Sequence, residues 1–552
     1  MKKLTVFRII TAAVLPLFVL AGCNKDARTG TSTAGTKSPI TFTFFNADAA
    51  ENMAFNDPVA REITKRTGVT LNIIRPAGGG YKQAISLMAA SGALPDLIFA
   101  KDDLSVLIGA GMILPLDDMI ERKGGNLKKL YGDKLGRLKY TADDPRIYSA
   151  GTNAVHNSVW STDGTMQIQH AVLKEFGYPR MRTLQDYENA LRIYLNRYPN
   201  INGRRTIGLS LLINTNQWHI GFSNPSSSIL GYPDDGQWIV DQSTLEANYK
   251  FLHPQVREYF KWLNRMNAEG ILDPESFTQT ESEWRAKIAS GRVLGIAYPG
   301  WGYAEAKRSL IRGNQPERTY AYLPITLNEN YRAASLMDPG FSGGFGVAIT
   351  ASCKDPERAF EFLDWLASEE AQILINWGIE GVNYNVVDGK RAMIESEKAA
   401  SLSDPNWGRR TGVGIYQHPF PMYGSGFIDS TGSYITRDSP ETIVQNYNDV
   451  EMETLAAYGL KMWTDLFPST ESLGVTRHGS ASQYALPSEF NALISEADNY
   501  VKTALIAMIP GRTADFDAAW ERMTAELRRM GVENADAAMT QLIRDRVRLW
   551  GD

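Results

Sequence analysis

Two cysteines in 552 residues, Cys23 and Cys353, rule out a disulfide framework, so the fold stands on core burial. Six histidines are scattered, with no H-E-x-x-H or other metal-ligand spacing. There is no G-x-S-x-G and no Walker A loop, which removes two common sequence signs of catalysis. Positive charge is short: 57 Lys and Arg stand against 62 Asp and Glu, a formal net charge of −5. Nucleic acid calls for a basic stripe, and this balance argues against it. Past the N-terminus no apolar run is long enough to span a bilayer. With 62 acidic residues accidental carboxylate pairs abound, so no glycosidase pair can be singled out.

What is present starts at the N-terminus. Lys2, Lys3 and Arg8 precede the mostly apolar run Ile9 to Leu20, and Leu20-Ala21-Gly22-Cys23 closes it. A charged region followed by a short apolar one makes an export signal, too short for a stable spanning helix. The tetrapeptide resembles the lipobox of bacterial lipoproteins. That resemblance implies that Cys23 is acylated and heads the mature chain. It also implies that residues 24–552 work on the extracellular face of the cytoplasmic membrane. An ordinary secretory signal that happens to contain a Cys is the alternative. The small residues before Cys23 and the Thr/Ser/Gly-rich tether 24–38 after it favour the lipobox. Acyl chains hold a protein to a membrane at roughly 0.8 kcal/mol per buried CH₂. Loss of Lys2, Lys3 and Arg8 from the 57 basic residues leaves 54 against 62 acidic, a net −8. Cys353 is then alone and reads as a small core thiol.

Structure is expected from Ile40, where a β-branched and aromatic run to Phe45 reads as a strand. Asp57-Pro58 starts a helix to Lys65, Gly68 closes it, and Val69 to Ile74 is the next strand. A helix over Tyr81 to Ser91 and a buried strand over Leu97 to Ala100 follow. This alternation predicts a parallel α/β sheet. Met166 to Ile168 and Val293 to Tyr298 read as further strands, and Phe341 to Ile349 as a Gly-rich one. Thr183 to Asp186 is a capping box opening a helix to Tyr198. Helices are expected over 254–269, 281–290, 488–508, 516–529 and 540–550. The apolar spacing predicts one long helix from Pro356 to Trp377.

Several stretches together resemble the extracellular solute-binding proteins of ABC importers, in the sugar-binding family 1 and its long Gram-positive lipoprotein branch. They are Ala89 to Ile98, Tyr298-Pro299-Gly300-Trp301, Phe341 to Ile349, Asp355 to Ala359, and Trp377-Gly378-Ile379-Glu380-Gly381-Val382-Asn383-Tyr384. The resemblance implies a two-lobed α/β periplasmic-binding-protein-like fold of type II, its discontinuous lobes joined by a hinge, with extra C-terminal helices. The expected division is a signal over 1–23, a tether over 24–38, the first lobe over 39–155 and the second over 156–340. A return to the first lobe over 341–380 precedes a C-terminal region, 381–552, that completes the second. The implied activity is capture of a carbohydrate, an oligosaccharide, between the lobes and its delivery to membrane permease subunits. The protein is expected to be a monomer and not an enzyme. An extracellular glycan hydrolase, or a ligand sensor for a membrane kinase, are the alternatives. Many relatives carry an EF-hand-like calcium loop where this chain has Tyr198 to Thr206. Here Tyr198 and Thr206 stand at positions where acidic residues are usual, so weak calcium binding or none is expected, and no other cofactor.

The candidate ligand-binding residues come from strand ends, where open α/β sheets hold ligands, and from aromatics able to stack on a sugar face. The chain has 12 Trp and 24 Tyr to draw on. Asn46, Asp48 and Glu51 follow the first strand, and Lys101 and Asp102 follow the third. Trp301 lies just past a strand, where a core Trp is less expected. Trp160, Trp218, Trp377 and Trp407 are further stacking candidates; core packing is the rival role for Trp377, and plain surface for Trp218, which sits in the polar loop Asn214 to His219. Glu380 and Tyr384 lie on the turn after Trp377. For the charged residues the rival role is a helix cap or a solvated surface.

Overall fold

Phe42, Phe44 and Phe45 are fully buried because their strand, Ile40–Asn46, lies inside a five-stranded sheet. In this computed structural model, residues 38–49, 53–76, 80–162, 164–215, 217–484 and 486–551 are described. The signal, Cys23 and Glu51 lie outside them. The first sheet has the order Val69–Ile74, Ile40–Asn46, Leu97–Phe99, Gly346–Ile349, Ala150–Gly151. Its first three strands are parallel, with Phe42 beside Leu71 and Phe44 beside Leu97. Gly346–Ile349 runs antiparallel to both neighbours. The helix Pro58–Thr67 between the first two strands is capped by the Asp57 side chain on the Ala60 amide and closed by Gly68 at φ 69°, a left-handed position that suits glycine.

The second sheet has the order Tyr320–Tyr322, Met166–Gln169, Val293–Ala297, Ile207–Leu209. Val293–Ala297 pairs antiparallel with Met166–Gln169 and parallel with Ile207–Leu209. Helices over Leu184–Arg197 and Val256–Ala268 belong to its core. Thr183 and Asp186 form the expected capping box. The C-terminal helices Ser488–Met508, Phe516–Met530 and Val532–Trp550 also pack into this core, through Leu505, Trp520 and Ile543 among others.

Each sheet thus has its own hydrophobic core, and the chain crosses between them three times. Val155 belongs to the first core and Met166 to the second; Ile325 to the second and Phe341 to the first; Ile435 to the first and Leu455 to the second. The last crossing corrects the expected division at 381. Trp407, Val413, Tyr416, Phe420, Tyr423 and Ile435 are buried in the first core, so 407–435 packs with the first lobe. Two elements also differ from expectation. The helix predicted from Pro356 to Trp377 is two, Pro356–Leu366 and Glu369–Trp377. Ser368 breaks it by turning its side chain to the Ala371 amide, an N-cap. Of the segment 341–349 only Gly346–Ile349 is strand. Gly343 and Gly344, before it, have φ of 72° and 34°. A Cβ on Gly343 would come 2.0 Å from the Arg137 carbonyl oxygen. Glycine lets the crossing strand pass that close.

Candidate functional site

The carboxyl ends of the first sheet's strands carry a connected polar group. Asp48 follows Ile40–Asn46 and accepts a hydrogen bond from Lys101 Nζ at 3.0 Å; its other oxygen lies 3.0 Å from His418 Nε2. Burial acts against ionised Asp48, but His418 and Lys101 outweigh it and hold the carboxyl below the usual range. Lys101 follows the strand Leu97–Phe99 in the left-handed region, φ 53°. Such a backbone costs a side-chain-bearing residue about 1 kcal/mol or more, so the Asp48 contact is held against strain. The Lys101 ammonium also lies 5.3 Å from the centre of the Tyr81 ring. Asp102 accepts from Tyr81 Oη at 2.9 Å and from Lys82 Nζ at 2.8 Å. Asp103 lies 3.8 Å from Lys82. Burial, with the Asp102 charge beside it, pushes the Asp103 carboxyl up.

The second lobe supplies a facing wall. His219–Ser223 forms a π-helical turn, a form common at functional sites. It packs on the end of Val293–Ala297: a Cβ on Gly221 would come 2.6 Å from the Tyr298 ring. Burial, then Lys250 and the first lobe's Lys101, push the His219 imidazole down to about 4, so it is neutral at pH 7. Lys250 is buried and donates to Asn224 Oδ1 at 3.0 Å and Ser223 Oγ at 3.3 Å. Asn224 in turn donates to Asp234 at 3.0 Å. Burial brings the Lys250 ammonium down to about 8, against the pull of Asp234 and Asp498. Asp498 accepts from Tyr249 Oη at 2.7 Å and Gln237 Nε2 at 3.0 Å. Burial still pushes it up to about 6. Asp498 also acts on Lys82 of the first lobe. The two walls therefore feel each other's charge. Chemically the arrangement offers charged acceptors and donors to hydroxyl groups.

Trp301 is 56% exposed on the first turn of Gly300–Arg312, its ring edge-on to Tyr298 at 5.4 Å. It shares Tyr298 with the His219 turn, so it stands at the same end of the second sheet. The other tryptophans divide. Trp218 is buried against Phe222 and Phe251 in the second core. Trp377 is buried, with its indole donating to the Tyr434 carbonyl at 3.3 Å and Arg391 over its face. Trp407 is buried, donating to Glu397 at 2.9 Å beneath Arg437. All three are covered by their own lobe and offer no face to a ligand, which corrects the expectation for them. Trp160 is half-buried, edge-on to Tyr434. Tyr384 is buried against Trp377, and Glu380 is exposed on the turn before it. Asn46 is buried and spends its side-chain oxygen on the Asp48 amide at 2.9 Å. It shapes the turn that presents Asp48. Asp48, Lys101 and Asp102 are thus brought together. Tyr81, Lys82, His418, Lys250 and Asp498 join the walls without having been foreseen.

The 198–206 segment is a tight hairpin, Asn200–Ile201 against Arg204–Arg205. Asn202 Nδ2 donates to the Gln315 side chain at 2.9 Å, and Thr206 Oγ1 to the Tyr198 carbonyl at 2.6 Å. Its residues carry two arginines and no carboxylate. That set does not fit calcium, which takes carboxylates first. A separate groove of about 330 Å³ runs between Ser488–Met508 and Phe516–Met530 and shares no residue with the two walls.

Comparison with known proteins places this geometry. The family described as bacterial extracellular solute-binding protein matches residues 59–397. The fructooligosaccharide ABC transporter substrate-binding protein FusA of Streptococcus pneumoniae is 24% identical over 394 residues, 66% of this chain and 69% of the relative. Lipoprotein LipO of Bacillus subtilis is 22% identical over 408 residues, 71% of this chain and 76% of the relative. Among solved structures, FusA in complex with kestose matches at a TM-score of 0.66 and 17% identity, over 92% of this chain and 99% of that one. The alginate-binding protein AlgQ2 without calcium ion matches at 0.65 and 16%, over 92% and 99%. At such identities the likeness is one of fold: the two-lobed α/β architecture of type II.

Proposed function

The chain belongs to the bacterial extracellular solute-binding protein family, and we propose that it captures an oligosaccharide between its two lobes. It hands the sugar to the permease of an ABC importer while tethered to the outer face of the membrane through Cys23. The observation that carries the reading is the pair of half-exposed ion pairs, Asp48 with Lys101 and Asp102 with Lys82. They lie at the strand ends of one lobe, within electrostatic reach of the His219 turn of the other, and the exposed Trp301 stands at the same end of that second sheet. Carboxylates and ammoniums bind hydroxyl edges, and an indole face takes the C–H face of a pyranose. FusA, a fructooligosaccharide ABC transporter substrate-binding protein, supports the sugar class. LipO, a lipoprotein by name, supports the anchor.

The test is a thermal-shift screen of residues 24–552 against neutral and acidic oligosaccharides. A ligand selective for the native state raises stability by RT ln(1 + [L]/Kd). A hit recovered chemically unchanged is the expected result. A hit consumed by the protein points to a hydrolase, and silence across a broad panel removes the carbohydrate reading. In parallel, the full-length protein is expected in the membrane fraction of its host, and Cys23→Ala either outside it or retained with its signal uncleaved. Normal retention together with normal processing of Cys23→Ala would sink the anchor.

A further inference from the structure

Arg546 links the two lobes with its charge unanswered. It lies on the last helix of the second lobe, Val532–Trp550, and its Nη1 donates to the Lys139 carbonyl of the first at 3.0 Å. Its guanidinium sits 5.2 Å from the centre of the Tyr484 ring. Both partners are neutral. Its Nε is buried with no acceptor, and only Tyr484 and Tyr140 act on its charge. Burial holds the guanidinium below its ordinary pKa. Native structures match a buried cation with an anion, because an unmatched one carries a large desolvation cost.

Arg546 borders a cavity of about 60 Å³ lined also by Lys101, Asp102, Arg137, Tyr140 and Gln483. One water needs about 10–15 Å³ of such space, so the cavity admits a small oxyanion and excludes a sugar ring. Asp102 is the one carboxylate in the lining, and it is already engaged by Tyr81 and Lys82. Lys101 and Asp102 belong to the first-lobe wall as well, so the cavity adjoins the candidate cleft at its hinge side, where Gly343 and Gly344 pass.

We propose that this cavity receives an oxyanion, with Arg546 as its counter-charge: the carboxylate or sulfate of an acidic oligosaccharide, or a free ion of the same chemistry. The first source deepens the reading of the cleft as a sugar site; the second stands without it.

The experiment uses the mature chain, its Arg546→Gln and Arg546→Lys variants, and three probes at constant ionic strength. The probes are a uronic-acid trisaccharide, its neutral methyl ester, and sodium phosphate. Calorimetry and thermal shift read binding. With a substrate-borne anion, the acid binds the native chain about tenfold or more tighter than the ester, as a charged hydrogen bond allows. Arg546→Gln abolishes that preference and Arg546→Lys keeps part of it. With a free anion, phosphate raises the melting temperature of the native chain, Arg546→Gln abolishes the rise, and acid and ester bind alike. Acid and ester indistinguishable on the native chain, together with no phosphate response, overturns the proposal. So does a preference that Arg546→Gln leaves unchanged. Should Arg546→Gln not fold, the native chain and Arg546→Lys decide: an acid preference or phosphate response equal in both overturns it. A neutral hit in the earlier screen with no anion effect here would leave the sugar reading standing and remove this one.

Discussion

Asp498 gives the sharpest physical test of the second wall. Its carboxyl is pushed from 3.8 to about 6 by burial, despite hydrogen bonds from Tyr249 and Gln237. The unfolded chain loses this proton near the ordinary value and the folded chain near 6. Between them the folded state binds more protons, so stability falls as pH rises through that window and is flat above it. About two units of difference correspond to about 3 kcal/mol at most. Asp498→Asn has no proton to lose. Its remaining oxygen can accept from Tyr249, and Gln237 can turn its amide to receive the new donor, so the cavity is preserved. The variant is expected to match wild type near pH 4 and to exceed it by about 2–3 kcal/mol near pH 7.5. The assay is urea unfolding across that range, followed by fluorescence of tryptophans in the second core, Trp238, Trp262 and Trp520 among them. A difference between the proteins that does not change with pH would refute the argument.

Trp301→Ala is expected to weaken binding of the hit from the oligosaccharide screen. The loss is about 1 kcal/mol beyond area burial, with the melting temperature nearly unchanged because the ring is exposed; unaltered affinity in calorimetry would remove Trp301 from the cleft. Millimolar calcium, or a chelator, is expected to leave the melting temperature where it is, because the 198–206 hairpin brings no carboxylate. A clear rise on adding calcium would mean that acidic residues elsewhere hold the ion.

The fold was largely legible because local signals agreed with the global arrangement. The Asp57 and Thr183 caps, Gly68, and the apolar strand Leu97–Phe99 each marked a real boundary. The break at Ser368 escaped because the apolar spacing runs on through it: Leu363, Leu366 and Leu374 are all buried. The readable sign was Ser followed by Glu369 and Glu370, an N-cap and an acidic first turn. The candidate site was legible only where strand ends present it, at Asp48, Lys101 and Asp102, which the fold brings together. His418 reaches Asp48 from 370 positions away, and Tyr249 reaches Asp498 from 249. No local pattern encodes such pairings. Aromatic residue type failed for a different reason: Trp218, Trp377 and Trp407 have the same affinity for a core as for a sugar face.

Each wall satisfies itself before any ligand arrives, and that bears on how a ligand could drive closure. Lys101 is matched by Asp48, Lys82 by Asp102, Lys250 by Asn224, and Asp498 by Tyr249 and Gln237. A ligand gains little by contacting one wall alone, since each hydroxyl must replace or share a bond already made and exchanges water at the same time. In the proposed capture, the gain specific to a closed form lies between the walls. There, Asp498 attracts Lys82, an interaction that water screens when the lobes part. A solute shifts the open and closed populations only by binding them differently. One that fills the space between the walls with hydroxyls displaces the screening water and strengthens that attraction. A solute of equal size without hydroxyls displaces the same water but leaves the charged groups short of partners, and is rejected for that reason. Selectivity in the proposed cleft would then come from the cost of a missing hydrogen bond more than from the fit of a surface.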